Sequence, residues 1–250
     1  MKLEDVKLVG VLGGGVMGGG IAQVLAVGGY DIVVRDINDE LVDATRDSVR
    51  DGKWGIKRSV ELGKLKFDEA VTAMNRISYT TKESDLAFCD VLIEAIPEKL
   101  DLKQEVLKGI DGILKPEAIV ATNTSGFAIA DVARDVSAER KTRFVGMHFS
   151  NPVVRMRMCE VIYTPETSEE TIATARGLAE AGGKAVSMVK DTPGTYGFIL
   201  NRVFAAAARE ARAIVDAGIA TPEDVDKAMI TGRNWPAGFF GSRGGIGKAW

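Results

Sequence analysis

Cysteine is scarce in this sequence, which contains only Cys89 and Cys159. The two residues are far apart and form no C-x-x-C pair, so the cysteine spacing of a zinc site is missing. Two scattered cysteines are typical of reduced thiols in a reducing compartment. We therefore expect no metal site.

Long apolar runs and a strong net charge are also absent. No apolar run approaches the length of a membrane span, and a formal net charge of −3 gives no reason to expect binding to nucleic acid or to an anionic membrane. The beginning of the chain, MKLEDVKLVG, lacks the separate apolar segment and cleavage site of a signal peptide. The sequence therefore predicts a cytoplasmic protein that binds neither nucleic acid nor membranes.

The most informative stretch is rich in glycine and follows a short apolar run, Lys7–Leu12, that predicts a buried strand. Its glycines have the spacing G-x-G-x-x-G, and the chain then continues as a helix, Ile21–Val27. In a dinucleotide site the first glycine permits a tight turn, the second lets the backbone approach a pyrophosphate, and the third lets helix and strand pack closely. A flexible strand–helix turn is the alternative. The three glycines are Gly13, Gly15 and Gly18.

An acidic residue strengthens the dinucleotide interpretation. Asp31–Arg35 predicts a second strand, and Asp36 follows it directly. Its distance along the chain from the glycines is close to the roughly 20 residues at which an acid binds the adenosine ribose. A carboxylate there repels a 2′-phosphate, so the sequence predicts NAD rather than NADP as the cofactor.

Strands and helices alternate along most of the chain. Helical periodicity covers Asn38–Leu62, although Gly52 and Gly55 weaken its middle. The alternation predicts a parallel sheet with crossover helices, which is an α/β fold with a Rossmann-type doubly wound sheet. Further strands are predicted at Arg76–Thr80, Val91–Ala95, Ala118–Ala121, Arg143–Phe149, Met158–Tyr163 and Lys184–Val189, and further helices at Phe67–Met74, Asp101–Leu114 and Ser168–Ala181.

Polar residues follow several of the predicted strands. Glu98, Asn123 and Ser125 all lie just past a strand end, where ligands bind in parallel sheets. We expect them near the cofactor, and turn formation or capping is the alternative. Lysines also cluster between Lys53 and Lys66. This cluster is either a solvated helix face or a landing site for substrate phosphates, in which case Lys57 binds substrate.

The composition of the sequence changes at Lys190, where the alternation of strands and helices ends. The stretch KDTPGTYG is rich in turn-forming residues. The pattern that follows predicts one long helix over Phe198–Ala217. Thr221 followed by a proline and two acids predicts the start of another helix, whereas the glycine-rich tail Thr231–Trp250 has no clear element. We therefore expect an NAD-binding Rossmann-type domain over residues 1–190 and a small all-helical domain over residues 191–250.

The sequence contains a single histidine, His148, in an apolar strand. Histidine is the usual general base in hydroxyl oxidation because its ordinary pKa lies near neutrality, although a lone histidine in such a strand is more often a core residue. Glu160 lies in the strand that returns after the Asn151-Pro152 turn. From there its carboxylate could fix the tautomer of the imidazole and stabilise the imidazolium.

Six stretches of the sequence occur in a recognisable order between about residue 7 and residue 240: GGGVMGGGIAQ, IEAIPE, NTSG, GMHFSNPV, CEVI and KDTPG…GFILNRV. Together they resemble the L-3-hydroxyacyl-CoA dehydrogenase family. The resemblance implies a Rossmann-type domain followed by a helical domain that dimerises. It also implies reversible, NAD-dependent oxidation of (S)-3-hydroxyacyl-CoA to 3-ketoacyl-CoA in fatty-acid β-oxidation and related routes, here on short chains such as 3-hydroxybutyryl-CoA.

The resemblance also implies roles for individual residues. His148 would be the general base and Glu160 its orienting carboxylate. Ser125 and Asn201 would complete the catalytic set by holding the substrate oxygen and the thioester end. The cofactor-binding set would comprise Gly13, Gly15, Val16, Met17, Gly18, Asp36, Glu98, Lys103, Asn123 and Asn151.

The sequence departs from the family pattern in several places, and two of these departures concern the domain organisation. KDTPGTYGFILNR has extra residues relative to the family's DTPGF, and the helical part is short. The chain is therefore interpreted as a short form or as part of a longer protein, and some family members are fused to an enoyl-CoA hydratase unit. Two other functions stay open: a β-hydroxyacid-type dehydrogenase, which typically uses a lysine as its acid/base group, and an NAD-binding protein without turnover.

Overall fold

The computed structural model describes residues 1–241, and the chain divides into two units. The first unit spans Met1–Tyr196, and the second begins at Gly197. The first unit is built on a mostly parallel sheet with helices, and the described part of the second unit is helical, so the predicted fold class is confirmed. The end of the predicted tail Thr231–Trp250, beyond residue 241, lies outside the described residues.

An eight-stranded sheet forms the centre of the first unit. Its strands are β1 (Leu8–Leu12), β2 (Asp31–Arg35), β3 (Ile77–Thr80), β4 (Val91–Glu94), β5 (Ile119–Thr122), β6 (Phe144–Phe149), β7 (Met158–Tyr163) and β8 (Ala185–Lys190). The order across the sheet is β3-β2-β1-β4-β5-β6-β7-β8. β1 to β6 run parallel, β7 is antiparallel to β6, and β8 is parallel to β7. The direction of winding reverses between β1 and β4, which is where doubly wound sheets bind ligands.

The helices connect these strands and form the second unit. Those of the first unit are α1 (Val16–Val27), α2 (Asp39–Asp51), α3 (Ile56–Glu61), α4 (Phe67–Asn75), α5 (Leu100–Asp111), α6 (Ile129–Val132), α7 (Ala138–Lys141) and α8 (Glu169–Ala181); the second unit contains α9 (Ile199–Asp216) and α10 (Pro222–Arg233). Every residue of β4, β5 and β6 is buried, as expected of parallel strands covered on both faces. Within the described residues, no helix combines the length and apolar character of a membrane span.

The predicted helix starts at Ser168 and Thr221 are confirmed. The Ser168 side chain accepts a hydrogen bond from the Thr171 backbone N–H, and the Thr221 side chain accepts one from the Asp224 backbone N–H. Each side chain pairs one of the backbone donors that a helix leaves unpaired in its first turn. Pro222 occupies the first turn of α10, where it costs no hydrogen bond.

Two local predictions differ from the structure. The helical pattern over Asn38–Leu62 is divided into α2 and α3, because Gly52 ends α2 in an extended conformation and Gly55 begins α3. The short helices α6 and α7 were not predicted, since four residues are too few to show a helical period.

The two units separate between Tyr196 and Gly197, later than the predicted boundary at Lys190. The cause lies in Asp191, whose carboxylate accepts hydrogen bonds from the backbone N–H groups of Ile129 and Ala130, both at 2.9 Å. These bonds tie the segment after β8 to the start of α6. The turn-rich segment therefore belongs to the first unit as far as Tyr196.

Candidate active site

The fold itself requires glycine at two positions of the turn between β1 and α1. Gly13 has a φ of +93°, and a Cβ on it would lie 2.9 Å from the Ala95 carbonyl oxygen. A Cβ on Gly18 would lie 1.8 Å from the Gly13 carbonyl oxygen. Only glycine therefore allows the tight turn and the close packing of α1 against it.

Gly15 is different, because no other segment of residues 1–241 lies within 4 Å of the place where its Cβ would be. It is the N-cap of α1, and no side chain there accepts a hydrogen bond from the first turn. The missing side chain thus leaves open space at a helix N-terminus, where backbone N–H groups and the helix dipole attract an anion. This cradle fits the pyrophosphate of a dinucleotide. Val16 and Met17 begin α1 next to it.

Asp36 lies at the carboxyl end of β2, beside the same turn. Its Oδ2 accepts a hydrogen bond from the Gly14 backbone N–H at 2.7 Å, and its Oδ1 accepts one from the Ile37 backbone N–H at 2.7 Å. The carboxylate is therefore held against the glycine turn rather than directed away from it. This is the position from which an acid reaches the ribose hydroxyls of NAD.

Glu98 organises the loop that follows β5. Its Oε1 accepts hydrogen bonds from the Thr124 hydroxyl at 2.6 Å, the Ser125 backbone N–H at 2.8 Å and the Ser125 hydroxyl at 3.0 Å. Its Oε2 lies 3.2 Å from the Lys103 ammonium. Burial opposes ionisation, but the Thr124 hydroxyl, the Lys103 ammonium and the Ser125 N–H together hold the pKa of Glu98 below its ordinary value. The carboxylate thus fixes Ser125 at the end of the sheet.

Lys103, the cation beside Glu98, is only 1% exposed. Its Nζ donates a hydrogen bond to Oε1 of Glu94 at 2.6 Å, and the Thr122 hydroxyl donates to Oε2 of the same carboxylate at 2.6 Å. Burial raises the pKa of Glu94 although the Lys103 ammonium favours the charged form. The described contacts of the Lys103 ammonium are therefore with the Glu94 and Glu98 carboxylates and the Ile96 carbonyl oxygen, and its direct contact with the cofactor stays a prediction.

His148 and Glu160 face each other across the antiparallel pair β6 and β7, where they are register partners. The His148 Nδ1 and the Glu160 Oε2 are 2.7 Å apart, and both residues are buried, at 7% and 1% exposure. An ionised carboxylate only accepts hydrogen bonds, so it favours the tautomer with the hydrogen on Nδ1. Nε2 is then the basic nitrogen of the ring. The pairing predicted across the Asn151-Pro152 turn is present.

Two asparagines lie at the carboxyl end of β5 and β6. The Asn123 side-chain oxygen accepts a hydrogen bond from the Phe149 backbone N–H at 2.9 Å, which ties the end of β5 to the end of β6. Asn151 follows β6 and is exposed. Both residues therefore lie in the loops that follow β5 and β6, and their contacts with a cofactor stay predictions.

The other two predicted substrate residues lie elsewhere. Asn201 is in α9, in the second unit. Lys57 is in α3, where its ammonium forms an exposed ion pair with Asp51. Their roles toward substrate stay predictions. Glu94 was missed by sequence reasoning, although an acid inside the apolar run VLIEA was an available signal of a buried partner.

A glycine turn open to an anion, Asp36 beside that turn and the buried His148–Glu160 pair occur on one doubly wound sheet, an arrangement typical of NAD-dependent oxidoreductases. Comparison with known proteins then identifies the family. Residues 8–192 match the 3-hydroxyacyl-CoA dehydrogenase NAD binding domain, and residues 197–247 match the C-terminal domain of the same family. The chain belongs to the 3-hydroxyacyl-CoA dehydrogenase family.

Individual relatives support the same assignment. A probable 3-hydroxybutyryl-CoA dehydrogenase of Deinococcus radiodurans is 41% identical over 233 residues, which cover 92% of this chain and 79% of the relative. The mitochondrial hydroxyacyl-coenzyme A dehydrogenase of Homo sapiens is 38% identical over 94% of this chain and 74% of its own length. The crystal structure of (S)-3-hydroxybutyryl-CoA dehydrogenase from Ralstonia eutropha superposes with a TM-score of 0.87 at 37% identity, covering 94% of this chain and 80% of that one.

Proposed function

We propose that this protein oxidises the 3-hydroxyl of short-chain (S)-3-hydroxyacyl-CoA, such as 3-hydroxybutyryl-CoA, to the 3-ketone with NAD, and that the reaction is reversible. The observation that carries the proposal is the 2.7 Å contact between His148 Nδ1 and Glu160 Oε2 in a buried site. With its hydrogen on Nδ1, the ring can act as a base at Nε2. The names of the relatives support the acyl-CoA substrate.

The reaction requires the hydroxyl to lose a proton while carbon loses hydride. NAD, when bound at the glycine turn, supplies the hydride acceptor. His148 takes the hydroxyl proton at Nε2, and Glu160 stabilises the imidazolium that results. Because Glu160 is almost completely buried, its charge acts on the ring at short range through little water. The same pair returns the proton in the reverse direction.

Ser125 and Asn201 are the proposed contacts for the substrate oxygen and the thioester end. Ser125 is held by Glu98 through both its backbone N–H and its hydroxyl, so its position is fixed before substrate binds. Donors placed in advance beside an oxygen that gains charge stabilise the transition state without further reorganisation.

Cations beside the loop after β6 support binding of the CoA phosphates. The Lys53 Nζ lies 5.3 Å from the centre of the Trp54 ring, and the Arg155 guanidinium carbon lies 5.7 Å from it. These side chains bring positive charge from two loops to one aromatic ring. Lys57 lies in α3, three residues after Trp54, and we propose that it contributes to the same phosphate site.

The proposed activity is tested by NADH formation with (S)- and (R)-3-hydroxybutyryl-CoA and with free (S)-3-hydroxybutyrate. We expect turnover of the (S)-thioester, with rates at least about 10-fold lower for the other two compounds, because a binding site that loses one matched partner discriminates by at least this factor. Faster turnover of the free acid would favour a β-hydroxyacid-type dehydrogenase. Binding of NAD without turnover of any of the three would favour a non-catalytic protein.

We further propose that the protein is cytoplasmic and forms a homodimer through its helical unit, and that it works with an enoyl-CoA hydratase that supplies its substrate. The dimer is supported by large apolar side chains that α9 exposes, among them Val203 at 65% and Phe204 at 53%. Exposed apolar residues on one helix are typical of an interaction surface.

A further inference from the structure

Tyr196, in the part of the chain that departs from the family pattern, contacts the loop that carries Ser125. Its hydroxyl oxygen lies 3.3 Å from the Ser125 Oγ. Its ring meets the edge of Phe127, with ring centres 5.6 Å apart and planes at 85°, a favourable aromatic geometry. One side chain therefore holds two residues of the same loop.

The direction of the hydrogen bonds follows from Glu98. The Ser125 hydroxyl has one hydrogen, which it donates to Oε1 of Glu98 at 3.0 Å, because an ionised carboxylate only accepts. The contact between the two hydroxyl groups then requires Tyr196 to donate to the Ser125 Oγ. The result is a chain of donors that runs from Tyr196 through Ser125 to Glu98. In such a chain each hydrogen bond strengthens the next.

The backbone around Tyr196 is built to hold this position. Gly194 and Gly197 have φ values of +79° and +90°, in the region that favours glycine. Asp191 binds the start of α6 at the other end of the segment. The segment from Asp191 to Tyr196 is thus attached to the first unit at both ends, while the Tyr196 side chain stays 60% exposed.

We propose that Tyr196 is a positioning residue for the dehydrogenase reaction and acts through Ser125; this rests on the proposed function. Because Tyr196 donates a hydrogen bond to the Ser125 Oγ, Ser125 does not use its own hydrogen to bond Tyr196. That hydrogen is directed to Glu98 in the free protein and to a substrate oxygen in the complex, and the donated bond makes it a stronger donor. This stronger hydrogen bond stabilises the 3-oxygen most when that oxygen carries most charge, which is in the transition state. Loss of the Tyr196 hydroxyl should therefore lower kcat more than it changes KM.

The test is a double-mutant cycle with Tyr196→Phe, Ser125→Ala and the double variant, assayed by NADH oxidation with acetoacetyl-CoA. Tyr196→Phe keeps the ring on Phe127 and removes only the hydroxyl. We expect kcat to fall about three- to tenfold, the range of one neutral hydrogen bond, with KM within about twofold. In the Ser125→Ala background the same substitution should leave kcat unchanged. Tyr30→Phe, at the amino-terminal end of β2, is the matched control and should behave as wild type.

Equal kcat values for Tyr196→Phe and wild type would overturn the proposal. An equal loss in both backgrounds would also overturn it, because Tyr196 would then act independently of Ser125. Absence of turnover in wild type would instead refute the proposed function. In that case the melting temperatures of the same four proteins still test the bond, since non-additive shifts support it and additive shifts contradict it.

Discussion

Replacing His148 with alanine lowers kcat for (S)-3-hydroxybutyryl-CoA by about 10²- to 10⁴-fold, the usual contribution of a general base. The reason is chemical: no other histidine exists in the chain, and the described contacts of Glu160 place it on the Nδ1 side of the ring. Affinity for NAD should change little, because Asp36 and the glycine turn are built from other strands. The measurement is NADH formation at saturating substrate together with NAD binding by calorimetry.

His148→Gln is the companion variant. Glutamine keeps most of the side-chain volume and a polar end, so the buried site is better filled than with alanine. It has no nitrogen that accepts a proton near neutral pH. Both variants should therefore lose activity, and a glutamine variant with near wild-type kcat would contradict the role of His148.

Lys103→Met destabilises the first unit by about 3–5 kcal/mol at neutral pH, the usual cost of leaving a buried charge without its partner. Glu94 is completely buried and Lys103 is 1% exposed, so little water replaces the ammonium. Lys108→Met, on the exposed side of the same helix, is the matched control and should change the free energy of unfolding by no more than about 0.5 kcal/mol. Urea unfolding measures both.

The destabilisation caused by Lys103→Met should also depend on pH, and the pKa of Glu94 decides in which direction. Burial raises the pKa of Glu94, and removing the ammonium raises it further. A carboxyl whose pKa is higher in the folded than in the unfolded state stabilises the fold at low pH and loses that contribution as pH rises through the folded value. The deficit of the variant should therefore shrink as pH falls from neutrality toward the ordinary glutamate pKa of about 4.3. A deficit that is constant over this range would contradict the assignment.

Local patterns were sufficient for the sheet and for the dinucleotide turn. The glycine spacing predicts a tight turn and close helix packing, and the structure shows both at Gly13 and Gly18. The pairing of His148 with Glu160 was also accessible, because two strands joined by a turn place their residues in register. Such features depend on neighbours in sequence or on a single strand pairing.

Contacts between distant segments were not predictable in the same way. Tyr196 and Ser125 are 71 positions apart, and no periodicity connects a turn-rich segment with a loop after β5. The buried pair of Lys103 and Glu94 is nine positions apart but joins a helix to a strand, so the acid in the apolar run indicates a buried partner without indicating which residue it is. The division between the units lies after the predicted boundary for the same reason. It depends on the hydrogen bonds that Asp191 accepts from the distant Ile129 and Ala130 backbone N–H groups.

The tautomer of His148 tests the central claim most directly, and the single histidine makes its signals unambiguous. A long-range nitrogen–proton correlation spectrum of labelled, tag-free protein, recorded where the imidazole is neutral, shows which ring nitrogen carries the hydrogen. We predict the hydrogen on Nδ1, the atom 2.7 Å from Glu160 Oε2, and no hydrogen on Nε2, the nitrogen that takes the hydroxyl proton. A spectrum with the hydrogen on Nε2 would contradict this account of the base.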